Sequence, residues 1–162
     1  MARYAVSNQN AASPISLTTT YKTEVVATAA TGATTLRRGW IDEVVVGADG
    51  VANATDCQIV WDWSVQTAVG TVVAVVPQPT PDGSDAAALL VYGVNATAEG
   101  TITANSSLLA FATNQRQSQR IQYADFRLTP LIIPAVNLKG IAARAKSTTY
   151  ASTAVVQEYV VE

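Results

Sequence analysis

Between Cys57 and Val65 the chain alternates strictly, with Ile59, Trp61, Trp63 and Val65 on one parity and Asp62 and Ser64 on the other. A period of two is the period of an extended strand, so both indoles point to one face and the polar groups to the opposite one. No long stretch carries the i, i+3, i+4, i+7 apolar stripe of a helix. Apolar residues come instead in short runs punctuated by Gly, Pro, Asn, Asp and Thr, as in Ile15–Ala29, Arg37–Val46, Leu89–Val94, Leu108–Thr113, Gly140–Ser147 and Thr153–Val161. Together these runs predict about eight or nine strands. The expected fold is all-β, an antiparallel β-sandwich of the jelly-roll kind, with the Trp pair packed between its sheets.

The 162 residues suit one domain. Residues 15–162 are expected to form the sandwich. Residues 1–14, small and polar apart from a short strand-like Tyr4–Ser7, read as a loosely held N-terminal arm. The sequence Pro77-Gln-Pro79-Thr-Pro81 lacks three backbone donors and reads as a rigid projecting loop. Only 14% of residues are charged, against about 25% in an average soluble domain. Protein partners covering part of the surface account for the difference. The net charge of −2 and the scattered Lys and Arg give no basic face for nucleic acid. No apolar run has the length of a membrane span, and Met1–Asn8 holds no signal-peptide core, so synthesis in the cytoplasm is expected. Cys57, the single cysteine, reads as a small buried thiol. Asn53, Asn95 and Asn105 head glycosylation-like triplets but read as turn residues.

The chemistry is equally bounded. There is no histidine, which removes the commonest general base and the usual zinc ligand. Asp42-Glu43 and Asp62 are the carboxylates that a sugar hydrolase would use, but alternation turns Asp62 away from Trp61 and Trp63. Asp82-Gly-Ser-Asp85, or Asp49 with Asp56, could hold calcium, although turn formation explains both. The expectation is a protein that is not an enzyme and needs no cofactor and no metal.

Two stretches carry a family likeness: Ala98-Glu-Gly-Thr-Ile-Thr-Ala-Asn-Ser-Ser-Leu-Leu109 running on to Asn114-Gln-Arg116, and Leu131-Ile-Ile-Pro-Ala135 followed by Gly140-Ile-Ala-Ala-Arg-Ala-Lys-Ser147 and Tyr150. With Met1-Ala-Arg-Tyr-Ala-Val-Ser-Asn8, they give a chain that resembles the small β-rich virion proteins of tailed bacteriophages, most of all capsid decoration (cement) proteins. The resemblance implies a homo-oligomer, a trimer, on the outer capsid surface at junctions of the major capsid protein. It implies no nucleic-acid and no membrane partner. Under it, Arg3, Tyr4 and Val6 of the arm, Arg37 and Arg38, and the prolines Pro77, Pro79 and Pro81 are the expected interface residues. The alternatives are a tail, baseplate or fibre-head component binding host glycan through Trp40, Trp61 and Trp63, and, last, an enzyme acting on polysaccharide.

Overall fold

A computed structural model describes residues 2–9, 11–29, 36–80, 82–84, 86–123 and 131–162. Among these there is no helix. Twelve strands are formed: β1 (Arg3–Ser7), β2 (Lys22–Thr28), β3 (Gly39–Asp49), β4 (Gln58–Ala68), β5 (Thr71–Val75), β6 (Gln78–Thr80), β7 (Val91–Ala98), β8 (Thr101–Asn114), β9 (Gln119–Gln122), β10 (Leu131–Ile133), β11 (Gly140–Lys146) and β12 (Thr153–Val161). They form two six-stranded sheets. Sheet I runs β10-β3-β12-β1-β6, with β9 also paired to β3, and sheet II runs β5-β7-β2-β11-β4-β8. Every pairing between these strands is antiparallel. The β-sandwich expected from the alternation is therefore present, and it is larger than an eight-stranded jelly-roll.

Ile59, Trp61 and Trp63 of β4 are fully buried between the sheets, against Val44, Val46, Val156 and Val160 of sheet I. Trp63 stacks on Phe111 with centroids 5.8 Å apart and planes 14° apart. Burial of side chains this large supplies much of the drive to close the sandwich.

Sheet II is curled. β4 with β5 and β7 with β8 form one long ribbon, since Ala68 faces Thr101 and, across the bend, Thr71 faces Ala98 in the same register. The bend sits at Gly70 and Gly100. A Cβ on Gly70 would strike the backbone of Ala98 and Gly100, and one on Gly100 would strike that of Ala68, so only glycine allows the two chains to cross there. One limb of the ribbon pairs with β11 and the other with β2, which are themselves neighbours. The Glu99 carboxylate at the bend accepts hydrogen bonds from the Thr23 backbone N–H (3.1 Å) and hydroxyl (2.5 Å) and ties the curl to β2. The curl covers the polar face of β4: Asp62, Ser64 and Gln66 point away from the main core yet are all buried.

The N-terminal segment corrects an expectation. Residues 3–7 are an interior strand rather than a loose arm, paired to β12 on one side and to β6 on the other. Tyr4 and Val6 lie in the core. The proline segment is corrected with it. Pro77 is buried, and Pro79 lies within β6 opposite Tyr4, so this stretch closes the edge of sheet I instead of projecting. Proline fits an edge strand because the donor it lacks would face away from the sheet. Pro81 lies outside the described residues.

Deleting residues 1–7 should therefore abolish the cooperative urea transition, because β12 and β6 would both lose a partner. Tyr4→Ala should lower stability by about 3–5 kcal/mol while near-native far-ultraviolet dichroism is retained. A truncated chain that unfolds at the wild-type urea midpoint would show that β1 is dispensable.

Candidate functional site

Three polar clusters and one apolar groove hold the side chains that could act. The first lies inside the curl of sheet II. Arg144 of β11 faces Asp62 of β4 in register, and its Nε (3.0 Å) and Nη2 (2.5 Å) both donate to Asp62 Oδ2. Ser64 donates to the same oxygen at 2.6 Å and Ser107 to Oδ1 at 2.5 Å. Burial alone would raise the Asp62 pKa, but the hydrogen bonds from Ser107, Ser64 and Arg144 outweigh it and hold the carboxyl below the usual range. The Tyr21 ring lies beneath Arg144, 4.7 Å from its guanidinium, and 4.5 Å from the Lys146 ammonium. Each acceptor of Asp62 is occupied by this chain's own donors, so the cluster is a structural clamp.

The second cluster crosses the outer face of sheet I. A register shift in β3 leaves Asp42 as an extra residue between Ile41 and Glu43, and both carboxylates meet Arg3 of β1. Its Nε donates to Asp42 at 3.0 Å and its Nη2 to Glu43 at 2.9 Å. Arg120 of β9 pairs with the other Glu43 oxygen at 2.6 Å, and the Arg3 guanidinium sits 4.4 Å above the Tyr159 ring. Burial would raise Glu43; the bonds from Arg120 and Arg3 prevail and lower it. The pair that a hydrolase could have used is locked in ion pairs on a sheet face.

The third set is interior. Glu158 Oε1 accepts from Trp63 Nε1 at 2.8 Å, linking β12 to β4 across the core, while its Oε2 has no hydrogen-bond partner among the described residues. Burial outweighs the Trp63 bond and pushes the carboxyl up to about 7. Glu24 is likewise pushed up to about 8 by burial, against the lowering effect of its hydrogen bond from Asn8 and with a small addition from Glu99. Raised carboxyls often mark acid–base sites. Here both side chains are fully buried and held by Asn8 and Trp63, and they act as structural acids.

The expected interface residues do not converge on one surface. Arg3, Tyr4, Val6, Pro77 and Pro79 belong to the β1/β6 end of sheet I, where Arg3 is ion-paired and Tyr4 donates to the Ala86 carbonyl at 2.9 Å. Arg37 and Arg38 are exposed and make no ion pair with the described residues. Arg37 shares with Tyr4 and Glu162 a shallow depression of about 260 Å³. Of the calcium candidates, Asp82 and Asp56 are engaged locally, and Asp85 lies outside the described residues. Asp82 accepts from the Ser84 backbone (2.9 Å) and hydroxyl (2.7 Å), and Asp56 pairs with Arg116 at 3.1 Å. Among the described residues no three carboxylate or cysteine groups gather to hold a metal.

A further opening, between described residues, is apolar. A groove of about 740 Å³ lies where the free margins of the two sheets face each other, lined by Val65, Leu108 and Leu109 from sheet II and by Tyr123, Leu131 and Ile132 on the sheet I side. Leu108 and Ile132 are 49% and 44% exposed. Among the described lining residues Tyr123 is the one ionisable group, and burial raises that hydroxyl. The described lining suits the capture of apolar side chains. The groove escapes sequence reasoning because its walls come from three separate stretches of the chain, around Val65, residues 108–109 and residues 123–132. The nearest signal is Ile132, an apolar residue of opposite parity to Leu131 and Ile133. Comparisons with family models, curated proteins and solved structures find no match to this chain.

Glu158 and Glu24, together with Asp42, whose carboxyl burial also raises, fix a pH dependence. Each glutamate is protonated in the folded protein at pH values where the unfolded chain, with a glutamate pKa of about 4.3, has released the proton. The native state thus binds more protons, and stability falls as pH rises from about 4.5 to 8. Below that range the lowered Asp62 and Glu43 act in the opposite sense, which places maximum stability at about pH 4–4.5, near the unfolded carboxyl pKa values. Glu158→Gln keeps an oxygen for Trp63 and carries no charge, so it should reduce the loss between pH 5 and 8.5 by roughly 2–3 kcal/mol. Urea midpoints at the two pH values measure this. An unchanged loss in the variant would mean that Glu158 titrates normally.

Proposed function

We propose that this chain is a structural virion protein that decorates a bacteriophage capsid from outside, seated where major capsid subunits meet, and that it stabilises the shell. The observation that carries the reading is the apolar groove with its exposed Leu108 and Ile132 rim. A concavity whose described lining is uncharged gains from meeting apolar side chains of another protein, and many such contacts on a symmetric lattice add through multivalency. Arg37 and Arg38 remain available for acidic capsid groups. The contact is assigned to the groove and these arginines rather than to residues 3–7, whose side chains serve the fold.

The glycan-binding alternative asks Trp61 and Trp63 to stack on sugar. Both are fully buried and Trp40 is half-buried, so the three tryptophans offer no shared face to a sugar. The capsid reading is preferred for that reason.

Co-sedimentation with expanded, decoration-free heads, with unexpanded procapsids as control, tests the proposal. Saturable binding to expanded heads is expected, together with improved resistance of those heads to heat. The double variant Leu108→Glu/Ile132→Glu should fold and bind at least about tenfold more weakly, a loss of about 1.4 kcal/mol. Absence of binding to either shell would remove the proposal.

A further inference from the structure

We propose that the outer edge of β8 is a self-association surface, on which a second copy of this chain pairs its own β8 antiparallel across a two-fold axis and continues sheet II from one protomer into the next. This goes beyond the capsid reading and does not rest on it.

The argument starts from how sheet edges are protected. A free edge exposes unpaired N–H and C=O groups, and edges that stay single are short or carry proline, charge or bulges. The other margins of this sandwich follow that rule. β6 has three residues and contains Pro79; β10 has three and is followed by Pro134; β9 has four and carries the ion-paired Arg120; β5 has five and an irregular register. β8 departs from it. It has fourteen residues, Thr101 to Asn114, with no charged residue and no proline. Among the described residues it pairs only with β4.

The two halves of β8 differ. Up to Leu108 the register with β4 shifts repeatedly, and Asn105 has a φ of 57°, so this half is bent and poorly suited to a further strand. From Leu109 to Asn114 the register is unbroken, Leu109 facing Trp63 and Asn114 facing Gln58. That is roughly 20 Å of regular edge, held flat from behind by the buried Trp pair.

The chemistry of this half selects the occupant. In a two-fold antiparallel pair the residue on the axis meets its own copy and its flanking residues meet each other, so with the axis at Ala112 a charge there would face its like. Leu109-Ala-Phe-Ala-Thr-Asn114 carries no charge. Ala110 and Ala112 share one face and are exposed and small, so side chains of a second strand can lie beside them. A strand from an unrelated protein would require no such neutrality on this side.

Analytical ultracentrifugation of the purified full chain, without capsid, tests this. A dimer is expected. Ala112→Lys and Ala112→Glu, at an exposed position, should each give a monomer with unchanged circular dichroism and melting temperature. An equimolar mixture of the two should recover the dimer, because unlike charges then meet across the axis. A wild-type monomer, a dimer that survives Ala112→Lys, or a mixture that fails to recover would each overturn the proposal. A trimer, the state that the resemblance implies, would also overturn it, since a two-fold strand pair closes at two copies.

Discussion

One buried amide, Asn8, joins the two sheets at the point where β1 ends. Its Nδ2 donates to Glu24 Oε2 in sheet II and to the Ala154 carbonyl in sheet I, each at 3.0 Å, and reaches Asn95 Oδ1 at 3.4 Å. Its Oδ1 accepts from the Val156 N–H at 2.9 Å. Asn95, in the left-handed region at φ 52°, in turn donates to the Ala12 carbonyl. Without Asn8 a carboxyl, a carbonyl and an N–H would be stranded in an apolar interior, each costing about 1–3 kcal/mol. The link fixes where β1 must lie. A chain anchored at Asn8 and paired on both sides cannot lend residues 3–7 to a neighbour without opening its own core.

That constraint leaves residues 3–7 to the fold and other surfaces open. Several charges of this charge-poor chain are engaged: Arg3 and Arg120 with Glu43, Arg144 with Asp62, Arg116 with Asp56. Beside the exposed Arg37 and Arg38, the surfaces that stay open are the groove beside Leu108 and Ile132 and the regular half of β8. Such surfaces favour association by shape and backbone pairing over steering by charge.

The part of the fold legible in the sequence is the part set by local alternation. The strand at Trp61 and Trp63 and the inward direction of both rings follow from side-chain parity alone. Ile141, Ala143 and Ala145 on β11 are read the same way. Burial of Asp62 and Ser64 is not legible, because it depends on a curl made where Gly70 and Gly100, thirty residues apart, cross. Residues 3–7 mislead for a related reason. Tyr4 and Val6 do alternate with Arg3, Ala5 and Ser7, but a five-residue strand is interior only because β12, at the far end of the chain, lies beside it. Pro79 reads as a loop until its partner β1 is known. The groove is least legible of all, since Leu108 and Ile132 become neighbours only through the packing of two sheet margins.

The most direct test of this account is amide hydrogen exchange of the free protein, residue by residue, at low and high concentration. Tyr4 and Val6 should lie in segments as protected as β3 and β12 at both concentrations, while Leu109–Asn114 should gain protection only as concentration rises. Fast exchange across residues 3–7 would contradict the interior placement of β1, and concentration-independent exchange along β8 would leave its edge without a partner.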